Sequence, residues 1–158
     1  MQESDSAVFG KVRHTGHLQV APGGRVRVVY DKGLQVVCDG KVLVQYDPAA
    51  RTAQRTTLRA VQREMPLLSV LVDPKALDQA YDTRYLGGAR LELIPRSPGG
   101  MKVELEGRNG LLWKLHWVDS TGAGQTLELT QPRPTAPLEA RAYRFQAPPG
   151  TRWVGEKP

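Results

Sequence analysis

Between Val36 and Pro48 the chain reads VVCDGKVLVQYDP, with an apolar run on each side of Asp39-Gly40. Asp-Gly between β-branched runs specifies a tight hairpin, because two-residue primed turns need a positive φ that few residues accept. The stretch therefore predicts an antiparallel pair with φ > 0 at both Asp39 and Gly40. It also sets a problem for the rest of the chain. Val36, Val42 and Val44 need covering, and little around them reads as a second layer.

Strand patterns dominate elsewhere. VFGKVRHTGHLQV (8–20) reads as one extended stretch interrupted by Gly10 and Gly16, and APGG (21–24) as a turn. RVRVVY (25–30) alternates, with Val26, Val28 and Tyr30 on one face and Arg25 and Arg27 on the other. RTAQRTTL (51–58) is a more polar strand. The period then changes over 66–82, where two short helices are predicted, each with proline at a first helical position. Leu67, Leu68, Val70 and Leu71 form the apolar stripe of the first; Asp73 is the expected N-cap of the second, which carries Leu77. Strands resume at 90–94, 101–107, 111–118, 125–130 and 142–146, with hairpin loops at 107–110 and 119–124. Their alternation presents Leu91 and Leu93; Met101, Val103 and Leu105; Trp113, Leu115 and Trp117; Leu127 and Leu129. The expected fold class is mainly β: an antiparallel meander, one curved sheet, with a two-helix insertion. One sheet without a partner must have its apolar face filled by helices or by a ligand.

The chemistry of the chain excludes more than it assigns. At 158 residues one domain over 1–158 is expected, with 40% apolar residues and no run near the ~18 that a membrane span requires. The N-terminal MQESDSAVFG is polar and lacks an apolar h-region, so no secretory signal is expected there. That leaves a cytoplasmic protein, or a mature exported one whose signal gave way to a start Met. The net charge is +6, and 22 bases are spread along the chain without a block, which argues against a nucleic-acid partner. The lone cysteine, Cys38, has no disulfide or metal partner in the sequence. His14 and His17, three apart on a strand, are expected on opposite faces, which disfavours a metal site. His116 alternates away from the tryptophans, and Glu104 and Glu106 read as an exposed face rather than a catalytic pair. With no nucleophile elbow, Cys–His pair or phosphate loop, no catalytic residue, cofactor or metal is expected.

In their order and spacing, several of these pieces resemble one family. Gln2, Gly16 and Leu18 are followed by PGGRVRVVY (22–30), CDGKVLVQYDP (38–48), MPLLSVL (65–71) and FQAPPGTRWV (145–154). The arrangement is similar to the periplasmic carriers of outer-membrane lipoproteins, the LolA and LolB fold family. The resemblance implies an unclosed, strongly curved half-barrel with the helices of 66–82 as a lid. It implies an apolar cavity for lipoprotein acyl chains, lined by Val26, Val28, Tyr30, Val42, Val44 and Tyr46 together with the apolar residues of the later strands. Its partners would be an inner-membrane lipoprotein-releasing transporter and an outer-membrane acceptor, its compartment the periplasm. An arginine that ties down the lid in the family's best-studied branch is replaced by Ala21, with an extra glycine after Pro22. Arg25 and Arg27 match other positions of the family. The family's N-terminal lid helix is expected to be missing, and the expected consequence is either a bound hydrophobic guest or self-association. Two further roles suit the same fold: a lipid- or lipoprotein-sensing regulatory module, and a cofactor-independent enzyme. The enzyme would need polar groups converging inside the cavity, where this sequence supplies almost none.

Overall fold

The computed structural model describes residues 1–6, 10–60, 74–119, 121–136 and 138–155, and it is mainly β. In chain order the strands are β1 (Gln2–Ser6), β2 (Gly10–His14), β3 (Gly16–Ala21), β4 (Arg25–Tyr30), β5 (Gln35–Asp39), β6 (Val42–Asp47) and β7 (Thr52–Thr57). After these come β8 (Tyr81–Gly87), β9 (Arg90–Pro95), β10 (Val103–Arg108), β11 (Leu111–Val118), β12 (Gly124–Glu128) and β13 (Arg152–Val154). Helix α1 (Pro74–Ala80) leads into β8, and a 3₁₀ turn (Ala140–Tyr143) precedes β13.

The chain divides into two compact units, each built on one sheet. The first unit, Met1–Thr15 with Lys75–Thr135, holds the antiparallel order β2-β1-β12-β11-β10-β9-β8. The second, Gly16–Pro74 with Ala136–Pro158, holds β13-β7-β6-β5-β4-β3, in which only β13 runs parallel to its neighbour. Neither sheet closes into a barrel; among the described residues each ends in strands with one free edge. The single sheet expected from sequence is thus two. The division falls at Gly16, one of the two glycines expected to interrupt the stretch from 8 to 20. A side chain at Gly16 would come within 2.3 Å of the Val29 carbonyl oxygen. The absence of one lets β3 enter tight against β4 immediately after Thr15. His14 and His17 therefore lie on different strands of different units, not on opposite faces of one strand.

Turn chemistry departs from expectation in an instructive way. At Asp39-Gly40 only the glycine has positive φ, 99°. Asp39 keeps its strand conformation and caps the turn instead, its Oδ1 accepting the N–H groups of Lys41 and Val42, both at 3.0 Å. A two-residue turn with positive φ at both positions does occur at Asn109-Gly110, at 53° and 74°, joining β10 to β11. Helix α1 begins at Pro74 as expected, but it ends at Ala80, so 81–82 belong to β8 rather than to a helix. The Ala80 carbonyl accepts the Arg96 N–H at 2.9 Å, which satisfies one orphan of the helix end. Tyr143 and Phe145 alternate as a strand would, yet 140–143 form a 3₁₀ turn and no ladder includes 144–146. The first predicted helix, with Leu67, Leu68, Val70 and Leu71, and the Asp73 cap expected for the second both lie outside the described residues.

Candidate functional site: the apolar sheet faces

In the second unit, strand register decides what each face can do. Val28 pairs with Val36 and Val36 with Gln45, while Val26 pairs with Cys38 and Cys38 with Leu43. One face therefore carries Leu18, Val26, Val28, Tyr30, Val36, Cys38 and Leu43. Leu58 packs against Val26, Cys38 and Leu43, and Leu18, Val28 and Val36 border that cluster while staying half-buried. Burial pushes the Tyr30 phenol and the Cys38 thiol above their ordinary pKa values, as an apolar setting must.

Val42, Val44 and Tyr46 do not join this face. Val44 pairs with Val37, and Tyr46 with Gln35 and Ala53, all on the opposite side. The cause is parity: a two-residue turn sets odd-numbered residues of one strand opposite even-numbered residues of the other. Val36 could never share a face with Val42. That opposite side is closed by the chain itself. Phe145 lies 5.1 Å from Tyr46 between ring centroids, Trp153 meets Phe145 edge-on at 5.9 Å, and Arg25 lies over the Tyr143 ring. The lining expected from sequence to be shared thus divides between the two faces of the sheet, each of which holds a buried cluster. Ala21, at the position of the expected arginine, is buried at the end of β3.

In the first unit the expected residues do align. Leu91, Leu105, Leu115 and Leu127 are cross-strand partners in one row over four strands. Leu93, Val103 and Trp117 form a second row beside it. Leu93, Val103, Leu115 and Trp117 are buried, whereas Leu91 is 37% exposed and its partner Tyr85 68%. Tyr81 and Tyr85 extend this face on β8; Tyr81 is buried, and that burial raises its pKa. Met101 and Leu129 fall just outside β10 and β12. Trp113 is the extra residue of a β-bulge opposite Glu106–Gly107, with the Arg108 guanidinium 4.3 Å above its ring. Leu77, on α1, is half-buried.

The reverse face of this sheet is charged and self-neutralising. Arg90, Glu106 and Lys114 are consecutive cross-strand partners, alternating in sign. Glu92, which the sequence reading passed over, is buried; its Oε2 is 2.6 Å from the Arg84 guanidinium, an ion pair outside hydrogen-bond angles. His116 shares a 3.1 Å hydrogen bond with Thr126 on this face. Among the described residues no three His, Cys, Asp or Glu side chains gather as a metal site would require. Sequence reasoning also missed Leu18, Tyr81 and Tyr85, although alternation within β3 and β8 carried the signal.

Comparison with known proteins gives these faces a context. The family described as "Outer membrane lipoprotein carrier protein LolA" matches residues 2–146. An outer-membrane lipoprotein carrier protein of Proteus mirabilis (strain HI4320) is 26% identical over 117 residues, covering 73% of this chain and 57% of the relative. The chain thus spans little more than half the length of that relative.

Proposed function

The chain belongs to the outer membrane lipoprotein carrier protein LolA family, and from that premise we propose that it is a non-catalytic periplasmic carrier of lipoproteins. Acyl chains lie on the apolar sheet faces: along the leucine row 91, 105, 115 and 127 in the first unit, and over Leu18, Val28 and Val36 in the second. The carrier receives its cargo from an inner-membrane releasing transporter and passes it to an outer-membrane acceptor. The observation that carries this reading is the leucine row. It crosses four strands without a polar interruption, about 14 Å from three inter-strand spacings.

Burying an acyl chain yields ~0.8 kcal/mol per CH₂, roughly 10 kcal/mol for one long chain. Binding is therefore easy, and release is the harder half. Leu93, Val103, Leu115 and Trp117 are already buried in the empty chain. A guest gains only the difference between its own contacts and those it displaces, which brings net affinity into a range compatible with transfer.

The test is displacement of a fluorescent acyl probe. Val28→Asp and Leu91→Asp each place an unpaired carboxylate under the acyl chain at a position exposed enough for the fold to survive. Each should weaken probe binding about tenfold or more. Replacing His14, His17 and His116 together with Gln should leave binding and lipoprotein transfer intact, since carriage moves no proton. Unchanged probe binding in both aspartate variants would overturn the reading.

A further inference from the structure

Charge is unevenly shared between the two units. The second contains twelve Lys and Arg against seven Asp and Glu, the first ten against nine. Part of the surplus collects at one edge of the second sheet. Among the described residues strand β13 pairs only with β7, and its outer edge has no partner strand there. On it Trp153 and Val154 are 45% and 40% exposed, one on each face of the strand at the sheet's rim. The Arg55 guanidinium lies 4.7 Å over the Trp153 ring. Arg152 belongs to the same strand, and its N–H donates to the Arg51 carbonyl at 2.8 Å. Arg51 has φ 52°, a left-handed conformation unusual for arginine, and that backbone bond helps to fix it there.

These three arginines are all exposed, and none forms an ion pair among the described residues. Asp47, shortly before Arg51 in the chain, spends its Oδ1 on the N–H groups of Ala49 and Ala50 in the β6–β7 turn. An exposed indole and valine bracketed by guanidinium groups without an ion pair among the described residues match the chemistry of a headgroup layer. The ring suits the polar–apolar boundary, and the planar forks suit phosphate oxygens.

We propose that the β7–β13 edge docks this protein on anionic bilayers, Trp153 and Val154 entering the headgroup layer while Arg51, Arg55 and Arg152 bind lipid phosphates. Two apolar side chains and three cations make weak, reversible contact, short of an anchor. None of the residues proposed to hold acyl chains takes part in it.

Flotation of the full chain with vesicles tests this. Phosphatidylcholine vesicles containing phosphatidylglycerol should carry the protein upward at low salt, and pure phosphatidylcholine vesicles should not. Binding should fade as added salt shortens the screening length. Each arginine replaced by glutamine should lower partitioning about fivefold, and the triple variant R51Q/R55Q/R152Q should abolish it. Trp153→Ala should also weaken binding, and the arginine variants, which leave the Phe145–Trp153 packing in place, guard against a folding artefact. Arg96→Gln removes one charge from the first unit, where Arg96 is tied to Asp82 at 2.9 Å, and should change little. Val28→Asp should float as the unmodified protein does, which separates this surface from the cargo face. Four results would each overturn the proposal: no binding to the anionic vesicles; a triple variant that binds normally; Arg96→Gln as damaging as Arg55→Gln; or polyglutamate bound at this edge while vesicles are ignored.

Discussion

Asp119 and Gly40 stabilise two hairpins by different means, and each makes a testable claim. Asp119 Oδ1 accepts the Thr121 hydroxyl at 2.6 Å and the N–H groups of Thr121 and Ala123, while Oδ2 accepts the Gln125 amide at 3.0 Å. The Thr121 hydroxyl first, then Gln125, hold this carboxyl down to about 2 from an ordinary 3.8. The unfolded chain then binds the proton more readily than the folded one. The contribution to stability is complete above the unfolded value of 3.8 and is lost as pH falls through about 2. Asp119→Asn should flatten that acid limb, so urea midpoints of the two proteins should differ at neutral pH and converge near pH 2. Gly40 is constrained by space as well as by φ: a Cβ there would lie 2.2 Å from the Gly23 carbonyl oxygen. A Cβ at Gly23, where φ is 80°, would meet nothing within 4 Å. Gly23→Ala should therefore cost about 1–2 kcal/mol and Gly40→Ala about 3–5, measured by chemical denaturation. The need for glycine at 40 was legible in the sequence. That Asp39 would cap the turn rather than join it was not, because the dipeptide alone does not say which side of Asp39 the ladder ends.

At the scale of elements, periodicity identified most strands and one face correctly, and it failed where two structures share a period. Val26, Val28 and Tyr30 alternate, and so do Val42, Val44 and Tyr46, yet the hairpin between them puts the two sets on opposite sides of the sheet. Alternation gives a strand two faces without saying which one meets a neighbour's; turn length supplies that. Tyr143 and Phe145 alternate too, and Arg144 is extended at φ −110° and ψ 128°. Here the period marks a segment lying across a sheet face, held by side chains instead of a ladder. Its chief contacts are Phe145 with Tyr46 and Trp153. Phe145→Ala should destabilise the protein by about 2–3 kcal/mol, below the full cost of a core phenylalanine because the ring is only partly buried. Acyl-probe binding by the folded fraction should be unchanged, since Phe145 packs on the side away from Val28. A variant that loses probe binding without losing stability would show that this segment belongs to the cargo site.

The whole molecule is threaded so that neither unit is one continuous piece of chain. The first unit takes 1–15 and 75–135, the second 16–74 and 136–158, and the chain passes between them three times. β1 and β2 complete a sheet whose other strands begin at Tyr81, and Phe145 covers Val44 and Tyr46 from far along the sequence. Each unit must therefore close a long loop before its sheet or core is complete, and the loop of one contains much of the other. Such interleaving favours all-or-none behaviour over 1–158, which we propose is a single folding domain despite its two sheets. The tryptophans can report this separately: Trp113 and Trp117 belong to the first unit, Trp153 to the second. In urea, the fluorescence of a variant keeping only Trp153 should trace the same transition as one keeping only Trp113 and Trp117. Both should agree with far-ultraviolet circular dichroism. Midpoints that separate beyond the stability difference between the two variants would mean that each unit unfolds alone, and that the chain is two domains laced together by its connections.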